Sequence, residues 1–188
     1  EVLGRHHHGS GGRASSPTDV HLFAESFTTQ DTRVRMDGYD RHIGADAKRR
    51  YKKGRSSGGI EAFAREGLRV PVMTLDLHRL PGMQKGEVPD NCVVMKVQGK
   101  HKGYEIAVVT YYLRPEVVVS YFEKLENLCN ILHEDLNLRT IMVSDANAKR
   151  GLDQNEEWNL AGKCQVELEQ RLGHARIAPR ARRQWTCR

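Results

Sequence analysis

From Asp19 onward the chain is a series of short apolar runs separated by turn signals. Val20-His21-Leu22-Phe23 has the length and apolar content of a buried strand, ending at Ala24-Glu25-Ser26. Residues 28 to 58 are mostly polar and read as loop. Gly58-Gly59 then leads into Ile60-Glu61-Ala62-Phe63, which alternates as a strand does. Val70 to Leu77 and Cys92 to Val97 repeat the strand pattern, with Pro81-Gly82 as the turn between them, so a run of antiparallel hairpins is expected. Tyr104 to Tyr112 is a largely apolar strand, which suits the centre of a sheet covered on both faces.

The period changes after Pro115, where Val118, Phe122, Leu125, Cys129 and Leu132 recur at three- and four-residue spacing among polar residues. That spacing predicts an amphipathic helix opened by the proline. Arg139 to Ser144, with Ile141, Met142 and Val143, reads as another buried strand, so the helix becomes a crossover between two strands. A second helix is expected from about Glu156 to Leu172, with Trp158, Ala161, Cys164, Leu168 and Leu172 on one face and Gly173 as its stop. Hairpins plus crossover imply a mixed α/β (α+β) fold, a two-sheet β-sandwich flanked by helices.

Composition narrows this picture. A chain of 188 residues suits one domain, 38% hydrophobic content supplies a core, and no apolar run reaches the ~20 residues of a membrane span. Residues 1 to 16 carry His6, His7 and His8 and then glycine and serine, and are expected to be a disordered leader ahead of a domain at 17–188. The three histidines could chelate a metal, but no framework holds them. No secretion signal opens the chain, so a nuclear or cytoplasmic location is expected, with the protein a monomer. Thirty Lys and Arg against 24 Asp and Glu leave a net charge of +6, which favours polyanionic partners. Cys92, Cys129, Cys164 and Cys187 are too scattered for a zinc site and read as reduced thiols.

Candidate chemistry gathers at strand ends. Glu25 lies just past one buried strand, and Asp145 and Asn147 just past another. Side chains there can reach a crevice while the sheet fixes the backbone, and an all-oxygen set would favour Mg²⁺ or Mn²⁺. The same residues also read as a solvated glutamate and as a turn or helix-capping Asp-Ala-Asn, and Tyr112 as a core aromatic.

Four segments, in order, resemble the endonuclease/exonuclease/phosphatase family and, within it, the endonuclease domains of non-LTR retrotransposons. DVHLFAES at Asp19 to Ser26 resembles the strand ending in a metal-ligating glutamate, and GRSSGGIEAFAREG at Gly54 to Gly67 resembles a glycine-rich hairpin of the retroelement branch. VVTYYLRP at Val108 to Pro115 resembles V-Y-x-P-P, and RTIMVSDANAK at Arg139 to Lys149 resembles the strand ending in G-D-(F/L)-N-A. Asn159-Leu160-Ala161-Gly162 is similar to the N-x-x-G opening of the following helix.

The resemblance implies a divalent-metal-dependent phosphodiesterase acting on DNA. Glu25 would be the metal ligand for Mg²⁺ or Mn²⁺, Asp145 would orient or protonate, and Asn147 and Tyr112 would donate to phosphate oxygens. The departures are an absent asparagine strand at the start, an absent S-D-H signature at the end, Ser144 in place of glycine and Ala146 in place of an aromatic or leucine. They imply a domain incomplete at both terminal strands and weak or inactive, for want of the histidine base.

Lys48, Arg49, Arg50, Lys52, Lys53 and Arg55 surround Tyr51 without periodicity and suit phosphate-backbone contact, as do the arginines from Arg176 onward; both also read as solvated loop and tail. DNA is the expected partner, with a reverse transcriptase domain downstream in an intact element. A non-catalytic remnant that only binds nucleic acid is the alternative, and a phosphatase of the same superfamily a further one. His42, His78, His101, His133 and His174 receive no role.

Overall fold

A computed structural model describes residues 19–29, 31–32, 34–48, 56–68, 72–99, 103–114, 117–148 and 158–175. The leader, Arg49 to Arg55 and the C-terminal arginines lie outside the described residues. Strands β1 (Val20–Ala24), β2 (Tyr39–Ala45) and β3 (Ile60–Arg65) form one antiparallel sheet in the order β1-β3-β2. Strands β4 (Val72–Thr74), β5 (Cys92–Gln98), β6 (Glu105–Tyr112) and β7 (Arg139–Asp145) form a second, in that order. β4, β5 and β6 run antiparallel, and β7 lies parallel to β6. The parallel pair requires a crossover, which helix α1 (Val118–Glu134) supplies.

Two apolar layers follow from the alternation of these strands. Ile60 and Ala62 of β3 meet Val93 and Met95 of β5, with Val20, Leu22, Ala45, Val72 and Val108 packed around them, so the two sheets face each other. The opposite face of the second sheet carries Val94, Ala107, Val109 and Tyr111 against Phe122, Leu125, Leu128 and Leu132 of α1. Helix α2 (Leu160–Arg171) adds Ala161 and Leu168 to the same core. The sandwich flanked by helices is therefore the observed fold, and β6, in the interior of its sheet, is covered on both sides as its largely apolar sequence requires.

Four expectations need correction. The polar stretch 28 to 58 contains β2, an edge strand whose register slips between Arg41 and Ile43; that irregularity breaks the period of two by which a strand is recognised. The strand expected to run to Leu77 ends at Thr74, because Asp76 accepts from the His78 backbone N–H and turns the chain into a single 3-10 turn at Leu77–Arg79; Val70 and Pro71 lie outside the described residues. Trp158 precedes α2 and is 41% exposed, since the helix begins only after the Asn159 cap. Glu61 is no solvent-facing alternate but is 2% exposed. Gly173 does end α2: its φ of +64° lets its N–H bond Gln170 while the His174 N–H bonds Glu169.

Ile141 and Val143 lie beside Val108 and Thr110 in the β6–β7 register, on the face turned toward the first sheet, yet they are 45% and 41% exposed. Among the described residues no helix is long and apolar enough to cross a membrane.

Candidate active site

Register brings the site together. Tyr112 and Asp145 are partners at the carboxyl ends of parallel strands β6 and β7, so both side chains fall on the face directed at the first sheet. Glu25 arrives from that sheet, immediately after β1, with its backbone at φ +58°. The Tyr112 hydroxyl donates to Glu25 Oε1 at 3.2 Å, which closes the crevice between residues 87 positions apart. Burial, then the charge of Glu25 and the hydrogen bond to it, push the Tyr112 hydroxyl above its ordinary range; Asp145 adds to this and Asn147 opposes it. A raised pKa means that folding favours the neutral phenol, so Tyr112 remains a proton donor through neutral pH and its contribution to stability is lost only in alkali.

Asn147 stands one turn beyond β7 at φ +46°, a conformation asparagine tolerates better than most residues. Its backbone N–H donates to Asp145 Oδ1 at 3.2 Å and its side chain donates to the Leu113 carbonyl at 2.9 Å. The same amide group is thereby tied to the residue after Tyr112. Ala146, between them, is buried in the helix-side core, so the small residue at this position presents Asp145 and Asn147 outward while its methyl packs inward.

Several residues that sequence reasoning passed over hold this arrangement. Thr28 donates to Glu61 Oε1 at 2.5 Å and shares a 2.9 Å hydrogen bond with Ser26, fixing the loop that carries Glu25 to the middle of β3. Gly58 and Gly59, both at positive φ, pass so close that a Cβ on Gly59 would stand 2.8 Å from Ser26 Oγ and one on Gly58 3.3 Å from the Tyr112 ring. Any side chain there would push apart the two elements that supply Glu25 and Tyr112. Asn91, at φ +49° ahead of β5, accepts from the Tyr112 backbone N–H at 3.0 Å. The signals were present: a glutamate inside an apolar strand, and an asparagine in a turn.

Asn159 joins α2 to the site. Its Oδ1 accepts from the Gly162 N–H and its Nδ2 donates to the Asn147 carbonyl, both at 2.8 Å. Asn159→Ala is expected to cost about 1 kcal/mol, as loss of a helix cap does. Asn159→Asp keeps the cap acceptor and should retain wild-type melting while shifting the Asn147 amide resonances in an NMR spectrum. Unshifted Asn147 resonances in Asn159→Asp would show that the bond does not position Asn147.

The donor chemistry fits a hard divalent cation, which binds through one or two carboxylates and completes its shell with water and phosphate oxygens. Glu25 engages Tyr112 through one carboxylate oxygen, leaving the other for a cation, and Asp145 shares the crevice. Among the described residues no group of three or more His, Cys, Asp or Glu is placed to hold a metal by itself. The four expected site residues, Glu25, Tyr112, Asp145 and Asn147, thus come together. Of the basic run, only Lys48 is described; it pairs with Asp90 at 3.4 Å, and Arg49, Arg50, Lys52, Lys53 and Arg55 lie outside the described residues. The described histidines sit elsewhere: His21 bonds Tyr39, His78 is in the 3-10 turn, His133 ends α1, and His174 bonds Thr140.

No family model and no curated protein matches the chain. Among solved structures, the chain is similar to the endonuclease domain of TRAS1, a telomere-specific non-LTR retrotransposon, with a TM-score of 0.48 and 19% sequence identity. The similarity covers 82% of this chain and 58% of that one, so the chain spans a little over half the length of the structure it matches.

Proposed function

We propose that the crevice is the site of a divalent-metal-dependent phosphodiesterase acting on DNA. The observation that carries this reading is the 3.2 Å contact between Tyr112 and Glu25, with Asp145 and Asn147 gathered around it from a second strand end. Oxygen donors and neutral hydrogen-bond donors in one crevice are what a phosphodiester needs: the former for a cation, the latter for its non-bridging oxygens. Glu25, with Asp145, would hold Mg²⁺ or Mn²⁺, which when bound neutralises charge developing on the phosphate. Tyr112, kept protonated, would turn its one O–H from Glu25 to a phosphate oxygen once a cation engages Glu25, and with the Asn147 amide would fix the phosphorus for in-line attack by water. Asp145 orients the attacking water.

None of the histidines whose side chains are described, His21, His78, His133 and His174, belongs to the cluster. The small acidic set also favours a second reading, a module that binds nucleic acid without cleaving it. The basic run Lys48 to Arg55 and the net charge of +6 support DNA as the partner under either reading.

Relaxation of supercoiled plasmid to nicked circles separates the two. With His6, His7 and His8 replaced by alanine, slow nicking should require Mg²⁺ or Mn²⁺, stop with a chelator and be lost in Glu25→Ala. Nicking that persists in Glu25→Ala would overturn the catalytic reading.

A further inference from the structure

A pocket of about 210 Å³ opens beside the site, with Tyr112 as the shared wall and Arg114, Ser120 and Lys124 among its other lining residues. Its volume is that of roughly seven waters at ~30 Å³ each and falls below the ~300 Å³ typical of drug-sized ligand sites. It therefore suits a compact group and its water.

The chemistry of the walls selects the charge of that group. Arg114 Nε and Nη2 are shut off from solvent with no hydrogen-bond partner among the described residues. A guanidinium cannot relieve this by losing its proton, and a buried donor left unmatched is costly. The first turn of α1 forms another wall: Val117, its N-cap residue, makes no side-chain cap bond and no acidic residue lies in that turn. The positive end of the helix dipole at this turn thus has no acidic side chain of its own against it. Lys124, one turn further along the helix, adds a second cation, and Ser120 a hydroxyl donor. Asp90 is the one carboxylate on the described lining, and it is already paired with Lys48. The pocket's own edge is fixed by Asn91, whose carbonyl accepts from both the Tyr112 N–H and the Tyr121 hydroxyl.

We infer that this pocket is a phosphate-binding subsite, held by Arg114, Lys124, Ser120 and the start of α1, which receives a backbone phosphate of nucleic acid adjacent to the one at Glu25 and Tyr112. That the occupant is a backbone phosphate rests on the function proposed above; that the pocket binds an oxyanion does not. Arg114 and Lys124 supply the positive charge of the pocket wall, and the shared Tyr112 wall sets the spacing between the two phosphates.

The full chain, free of divalent metal, would be titrated with inorganic phosphate and with a short oligothymidylate while the Arg114 Nε–H and Ser120 amide resonances are followed by NMR. Saturable shifts with both ligands are expected. Arg114→Gln should weaken each by about tenfold or more, the order of a hydrogen bond to a charged group, and Lys124→Gln by less. It should also reduce the salt slope of oligothymidylate binding by about 0.7, one single-strand phosphate contact. Because the two buried nitrogens make no described bonds, Arg114→Gln should melt like wild type, and Arg114→Lys should recover part of the affinity. Should Arg114→Gln fail to fold, Lys124→Gln on the helix surface carries the test.

Phosphate binding unaltered by Arg114→Gln and Lys124→Gln would overturn the subsite while leaving the Glu25-dependent nicking assay untouched. Arg114-dependent binding of inorganic phosphate with unchanged oligothymidylate affinity would overturn the backbone assignment. Arg114-dependent binding of both ligands, without Glu25-dependent nicking, would support the subsite and count against the phosphodiesterase.

Discussion

Replacing Asp145 by alanine is expected to lower metal-dependent nicking by at least about 10²-fold, the usual scale for a group that positions a proton or an attacking water. The substitution removes a carboxylate aligned with Tyr112 across the β6–β7 ladder and the acceptor that holds the Asn147 N–H at 3.2 Å. Both consequences act on the reacting phosphate, because Asn147 loses the bond that stabilises its left-handed turn. Stability should change little, as the lost hydrogen bond is exposed and contributes about 1 kcal/mol or less. Initial rates and melting midpoints measured on the same preparations check this. A variant that keeps its full rate, or that loses rate only in proportion to unfolded protein, would place Asp145 outside the chemistry.

The largest loss of stability should come from the helix-side core. Leu125 is fully buried where α1 crosses the second sheet, among Val94, Val109 and Tyr111 of the strands beneath. Leu125→Ala removes buried methyl groups from a packed layer and leaves a cavity, which costs about 2 to 5 kcal/mol. That corresponds to a drop in Tm of roughly 4 to 20 °C for a chain of this size. Leu160→Ala, at a position 54% exposed, is the control and should stay within about 0.5 kcal/mol of wild type. Equal losses at the two positions in thermal melts would mean that α1 is not docked as described. The core also bears on function, since α1 is the crossover that sets β7 beside β6 and hence Asp145 beside Tyr112.

The elements legible in the sequence are those whose burial is simple. β6 and α1 bury apolar strand and helix faces that mark them directly, and β7 is marked by its apolar run although Ile141 and Val143 are exposed. β2 was hidden because it is an edge strand with a register slip, and β4 was read too far toward Leu77 because Asp76 ends it early. Trp158 misled because an apolar residue just outside a cap mimics one more turn of the helix period.

The site divides along the same line. Glu25, Tyr112, Asp145 and Asn147 are marked by their places at strand ends and by the resemblance of the segments that carry them. Their meeting was not legible, since it depends on the parallel register of β6 and β7 and on the approach of β1. Glu61, Thr28, Asn91 and Arg114 were missed for another reason. Each occupies a position that local pattern assigns to solvent or turn, and only the packing of distant segments gives it a partner or a pocket.

The central claim is that Glu25, Tyr112, Asp145 and Asn147 form a single cation-binding crevice. Paramagnetic line broadening by Mn²⁺ tests it most directly, using the full chain with His6, His7 and His8 replaced by alanine. Sub-stoichiometric Mn²⁺ should broaden the backbone amides of Glu25, Tyr112 and Asn147 and the Asn147 side-chain amide together, and Glu25→Gln should restore them. If those resonances stay sharp while others broaden, or broaden equally in Glu25→Gln, the crevice is not the metal site.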